Sequence, residues 1–292
     1  MRVTQLMISQ QFVSSVQKNN SKMAVTQAQI SSGRKFEKVS DSPAAALKGM
    51  SLRSSMVQLE QYKKNAEDGM DWLNTADDAL GKLTDVLQRA RELTVQASND
   101  TNDGNTRETI AVEMRSLQQQ ISDYANAPFG DGYLFSGKTA NIPPYKDGVL
   151  QQTDQDGKQW NIGHGNNVKV NVHAGSIFGF LSEDKNLYDT IGAIAQTLEN
   201  GENPGSSLGI IDKQISNVLT QRSIVGANAN LLELAANKLD QSAFLAEKML
   251  SDTEDTDVAQ AFTELSLQEA ALQASLQAGS KIIQLSLADF LR

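Results

Sequence analysis

The stretch Ser251-Asp-Thr-Glu-Asp-Thr-Asp257 gathers four acids, Asp252, Glu254, Asp255 and Asp257, at a spacing that resembles a calcium loop. Such a loop needs glycine at its sixth position to turn and glutamate at its twelfth to complete the oxygen ligands. Counted from Asp252, those positions hold Asp257 and Thr263. The acids fit a helix start better, where the positive end of the helix dipole favours them. His164 and His173 are the only histidines, in neither HExxH nor HxH spacing, and they read as loop residues rather than zinc ligands. Cysteine is absent, which removes thiolate metal sites, disulfides and cysteine nucleophiles together. Neither G-x-G-x-x-G nor G-x-x-x-x-G-K-[ST] occurs, so no phosphate cradle is indicated. Trp160, with Tyr145 and Tyr188, has the makings of a sugar-binding groove, but such aromatics serve a core first, and Trp72 beside Leu73 reads as packing. No catalytic, metal or cofactor site emerges, and the chain reads as a non-enzyme with no cofactor.

A protein without chemistry must be explained by its elements. The 292 residues carry a formal net charge of −9, which argues against nucleic acid as a partner. No apolar run is long enough to span a membrane. Residues 1–32 carry Arg2, Lys18 and Lys22 but no apolar core of signal-peptide length. Charge is divided unevenly. Residues 1–50 hold seven Lys/Arg against two Asp/Glu, and residues 251–292 hold seven Asp/Glu against two Lys/Arg. Opposite charge on the two ends predicts that they lie side by side.

Helical periodicity dominates. Leu52, Leu59, Ala66, Leu73, Leu80 and Leu87 recur every seven residues, as do Tyr62, Gly69, Ala76, Leu83, Ala90 and Ala97. Two such rows offset by three form the seam of long helices packed at a shallow angle. Ser42-Pro43 supplies the start signal, and the Ser/Asn/Asp cluster from 98 to 105 the stop. Asn105 with Glu108 reads as a capping box for a second helix carrying Ile110, Met114, Leu117, Ile121 and Tyr124. Between 128 and 180 the texture changes to short alternating runs and turn formers, with Asp156-Gly157 as a hairpin signal. Asn186 is a cap for Leu187, Ile191, Ile194 and Leu198. A second long seam then runs Ile211, Ile215, Val218, Arg222, Val225, Ala229, Leu232, Ala236, Leu239, Ala243, Ala246 and Leu250, with one charge in it.

Both termini have stripes that nothing local can cover: Leu6, Val13, Val16, Met23 and Ile30 at one end, and Val258, Phe262, Leu265, Leu272, Leu276 and Ile283 at the other. Stripes of that length call for a partner. The fold class predicted is mainly α: a long antiparallel helical rod, a coiled-coil-like bundle from both chain ends, with a small β-rich insert. Its divisions are terminal arms at 1–42 and 252–292, a helical rod at 43–134 and 183–251, and the insert at 135–182.

These segments resemble a known family. QISSGRKFEKVSDSPAAALKGMSLRSS (29–55) is similar to the N-terminal signature of bacterial flagellins and flagellin-like axial proteins. Residues 65–100 resemble their long helix, and residues 251–292 resemble their terminal helix. The likeness covers 1–138 and 205–292. Within the superfamily, the Met-Arg-Val-Thr start, Ser-Asp-Ser-Pro and FGDGYLFSGKTANIPPY bring the chain nearer the hook-associated protein 3 group than the flagellins. A short flagellin with the same helices is the alternative.

The resemblance implies a structural axial protein of the extracellular flagellum, an adaptor between hook-associated protein 1 and the flagellin filament, working as a ring of copies. It implies arms that are disordered in the free subunit and form paired helices in the inner layer of the fibre. It also implies export, unfolded, through the flagellar type III apparatus, with a cytoplasmic chaperone on the C-terminal helix. LQRARELTVQ resembles the flagellin segment that contacts neighbouring subunits and that innate receptors read, which nominates Arg89 and Leu93, with Glu113 on the second helix.

Overall fold

The structure, a computed structural model, describes residues 5–99, 104–137, 141–146, 149–151, 159–170, 173–179 and 186–290. It is mainly helical. In chain order the helices are α1 (Gln5–Ser32), α2 (Pro43–Ala97), α3 (Gly104–Ala125), α4 (Ala174–Phe178), α5 (Leu187–Glu199), α6 (Leu208–Glu254) and α7 (Val258–Phe290). Between α3 and α4 lie three two-stranded antiparallel hairpins: β1 (Pro128–Phe129) with β2 (Gly132–Tyr133), β3 (Tyr145–Lys146) with β4 (Val149–Leu150), and β5 (Gln159–Gly163) with β6 (Asn166–Lys169). The chain divides into two compact units, 59–242 and 1–58 with 243–292, so both boundaries fall inside long helices.

In the 59–242 unit the two interleaved rows of α2 meet in the core. Ala66, Leu73, Ala76, Leu80, Leu83, Leu87, Ala90 and Ala97 are all buried. From α6 the same core takes Ile211, Val218, Val225, Leu232 and Ala236. The one charge in that seam, Arg222, is matched from α2: its Nε donates to Asp77 Oδ1 at 2.9 Å and its Nη2 to Asp77 Oδ2 at 3.0 Å. That fork raises the Arg222 pKa, chiefly through the hydrogen bond. Gly69 keeps α2 close to α6, because a Cβ there would stand 2.9 Å from Leu232 Cδ1.

Helix α3 packs along α5, joined by the Arg115–Glu199 pair and by Gln118 Nε2 donating to the Tyr188 carbonyl at 3.1 Å. Asn186 caps α5 as expected, accepting from the Asp189 N–H at 2.9 Å. Its Oδ1 also receives the Tyr145 hydroxyl at 3.4 Å, and burial pushes that phenol's pKa well up. Helix α3 begins at Gly104, which places Asn105 inside the helix rather than at its cap.

The hairpins are not a core of their own. Tyr145 of β3 and Val168 of β6 join the same buried cluster as the helices, as do Leu134 and Phe135 after β2 and Ile177 and Phe178 of α4. The hairpin signal at Asp156-Gly157 lies outside the described residues. The β5–β6 turn is made at His164-Gly165, where Gly165 takes φ +80°. His173 does more than sit in a loop: its Nδ1 accepts from Gly175 N at 2.9 Å and caps α4.

In the other unit α1 lies along α7. Phe12 faces Gly279, where an added Cβ would come within 2.2 Å of the ring. Asn19 Nδ2 donates to the Gln268 carbonyl at 3.2 Å, and Gln268 Nε2 donates to Thr26 Oγ1 at 3.1 Å. The turn after α1 is stitched to the end of α6. Lys35 N donates to Glu254 O at 2.7 Å, Thr256 N to Gly33 O at 2.9 Å, and Lys35 Nζ to Asp252 O at 2.6 Å. Buried Glu254 pairs with Arg53 of α2. Asp257 caps α7, its Oδ1 accepting from Ala259 N at 3.0 Å and Gln260 N at 3.1 Å. The acidic run is thus a helix junction, with one acid paired and one capping.

Candidate functional site

Two surfaces carry the residues that the sequence nominates. The first is the α1–α7 pair. Its mutual face on α1 holds Phe12, Val16, Asn19, Met23, Thr26 and Ile30, a 4,3,4,3,4 progression. The matching row on α7 is Ala261, Leu265, Gln268, Leu272, Ser275 and Gly279, with the same spacing. The expected stripes therefore split. Val16, Met23, Ile30, Leu265 and Leu272 are half-buried in the seam. Val13 is 48% exposed, Val258 43%, Phe262 53% and Leu276 52%. The side chains of Leu6 and Ile283 lie outside the described residues. An apolar-only reading missed Phe12 and Gly279, and it missed the polar seam members Asn19, Thr26 and Gln268. The signal for all five was the unbroken helical spacing, which counts position rather than hydropathy.

The second surface is the outer side of α2 against α3. Arg89 Nε donates to Glu113 Oε1 at 2.8 Å, and its Nη1 donates to Glu92 Oε2 at 3.2 Å. Those bonds hold its pKa above the ordinary value, that to Glu113 first. Both partners of the main bond are substantially exposed, with side chains 49% and 42% accessible. Leu93 differs. It is 1% exposed and forms the floor of a hollow of about 430 Å³ between Arg89, Gln96, Ile110 and Glu113. The α2 seam rotates Leu93 into the core, next to Ala90 and Ala97, so within the single chain its side chain is covered. Arg89 and Glu113 stay together at the surface. Among the described residues no three metal-ligating side chains gather, and no helix is long and apolar enough to cross a membrane.

Long helices from both chain ends pack together, a few short antiparallel strands form a small β region, and exposed apolar residues lie on the end helices as well as on α2 and α6. Those features define a long-helix protein whose two chain ends pair with each other. The region described as the bacterial flagellin N-terminal helical region matches residues 3–140, and the bacterial flagellin C-terminal helical region matches residues 208–291. The chain belongs to the bacterial flagellin family, a structural component of the flagellum. It is 26% identical over 314 residues to flagellar hook-associated protein 3 of Escherichia coli strain K12, covering 98% of each chain. It is 27% identical to a flagellin of Bacillus subtilis strain 168, covering 88% of each. In fold it is similar to flagellar hook associated protein-3 of Legionella pneumophila, with a TM-score of 0.63 and 16% identity over 69% of this chain and 97% of that one.

Proposed function

We propose that this chain is a structural axial subunit at the hook–filament junction, an adaptor with hook-associated protein 1 on one side and flagellin on the other. The observation that carries this reading is the end-to-end match, 98% of both chains, to a relative named for the hook. The paired terminal helices with an uncovered apolar outer side support it, since a ring of copies would cover them. In this reading the protein is extracellular, leaves the cell unfolded through the flagellar type III apparatus, and is met in the cytoplasm by a chaperone on α7. It catalyses nothing.

A strain lacking the gene should build hooks, release flagellin into the medium and carry no filaments. Normal filaments on those cells would refute the proposal. The flagellin relatives of comparable identity favour one second reading, a short flagellin that forms the filament itself. Seeded polymerisation separates the two, because an adaptor adds about one layer and stops whereas a flagellin grows long filaments.

A further inference from the structure

Helix α6 ends on the wrong charge. Its last turn holds Asp252 and Glu254 and no basic residue, and Asp255 follows directly. The carbonyls that close a helix form its negative end, which acids oppose and cations stabilise. The cations that answer this one come from far away in the chain. Lys35 Nζ donates to the Asp252 carbonyl at 2.6 Å, and the Lys35 N–H donates to the Glu254 carbonyl at 2.7 Å. Arg53 of α2 pairs with the Glu254 carboxylate. The Ser251 carbonyl is closed locally, by the Asp255 N–H at 2.8 Å.

Glu254 is the buried half of its pair. It is 6% exposed, while the Arg53 side chain stays 48% accessible. Its carboxylate lies over Gly49, where any Cβ would collide with Glu254 Oε1. Glycine inside a helix weakens that helix relative to alanine, so α2 gives up some stability where the carboxylate needs room. The docking also runs the other way. Thr256 N–H donates to the Gly33 carbonyl at 2.9 Å, Arg34 and Asp255 form an antiparallel bridge, and Gln29 Nε2 of α1 donates to the Lys35 carbonyl at 2.8 Å. Each segment completes the hydrogen bonding of the other.

We propose that this junction is a latch. Residues 251–257 keep their fold only while the turn at 33–35 is docked on them, and Glu254, seated at Gly49 and held by Arg53, locks both against α2. The end of α1 and the start of α7 then order or loosen together, at a place separate from the seam between those helices. By linkage, whatever steadies one of them steadies the other. The ordered part of the single chain accordingly begins at Gly33, ahead of Pro43. This concerns the chain by itself and does not depend on the axial role.

Hydrogen exchange of the purified full chain, read by mass spectrometry, tests the latch. In the parent, peptides over 33–41 and 251–257 should both be protected. Arg53→Met leaves Glu254 buried without its partner, and Gly49→Ala displaces the carboxylate with both charges kept. Each should speed exchange roughly tenfold in both peptides and leave those of 59–242 unchanged. Gly49→Ala is the sharper variant, because its effect on helix propensity alone would slow exchange. Lys35→Met, made on the turn, should loosen 251–257 as well. Gly226→Ala, whose added Cβ meets open space, should change neither peptide. Exchange of 33–41 in the parent at the rate of an unstructured peptide overturns the proposal. So does a rise in one segment without the other, no rise in either, or a rise that spreads through 59–242.

Discussion

Leu93→Ala separates a core residue from a contact residue. Leu93 is 1% exposed and belongs to the cluster that α2 shares with α3 and α6. Truncating a leucine in such a site costs about 2–5 kcal/mol, the lost transfer energy plus the cavity that remains. For a compact unit the size of 59–242, each kcal/mol moves the thermal midpoint roughly 2–4 °C, so the midpoint should fall roughly 4–20 °C. Arg89→Glu is the control. Its side chain is 49% accessible and solvent screens its pairs, so its midpoint should barely move while assembly weakens. The assay is thermal melting of the purified full chain by far-ultraviolet circular dichroism, alongside filament counts on complemented cells. A Leu93→Ala midpoint within about 1 °C of the parent, combined with lost filaments, would mean that Leu93 touches a neighbour and that the burial argument is wrong.

Three further outcomes are expected. Leu276→Asp should abolish filament assembly and leave the melting of the 59–242 unit unchanged, since Leu276 is 52% exposed on an end helix; normal filaments would show that this flank is not a contact. Asn186→Ala should destabilise by about 1–2 kcal/mol in chemical denaturation, because it removes the α5 cap and the acceptor of the buried Tyr145 hydroxyl; no measurable loss would mean water replaces both bonds. Dilute protease on the free chain should cut within 1–40 and 255–292 before it cuts α2, and early cleavage inside 59–97 with intact ends would contradict that order.

The long helices were legible because they repeat one instruction many times. The α2 rows of Leu and Ala recur every seven residues, and a buried polar neighbour of those rows such as Thr84 changes nothing, since its hydroxyl bonds back to the Leu80 carbonyl at 2.7 Å. Asn186 was readable for a different reason: a cap is a local hydrogen bond, and the residue that makes it also announces it; Pro43 was readable because proline suits the first helical position, where α2 begins. The end-helix seam was only partly legible from hydropathy, which reached Val16, Met23, Ile30, Leu265 and Leu272 but not its polar members. Asn19, Thr26 and Gln268 earn their places through partners some 240 positions away in the chain. The burial of Leu93 was not legible because a family contact segment was carried over as a unit, whereas the helix period divides it between Arg89 outside and Leu93 inside.

The two kinds of seam have different consequences. Along α2, leucines at buried positions each contribute about 1.5–3 kcal/mol of burial. Along α1 and α7 the shared rows include Asn19, Thr26, Ser275, Gly279 and Gln268, and Gln268 Oε1 is buried without a hydrogen-bond partner. Ordering the backbone costs about 1–2 kcal/mol per residue, and a seam of small and polar side chains recovers little of that. What such a seam does supply is register, since sliding α7 by one turn would pull Gln268 from both Asn19 and Thr26 and push a larger side chain than Gly279 against Phe12. The terminal pair is therefore weak but specific. On the proposed axial role, its missing stability would come from a neighbour that covers Val13, Phe262 and Leu276, and pairing of the ends and joining of copies would then be one cooperative event.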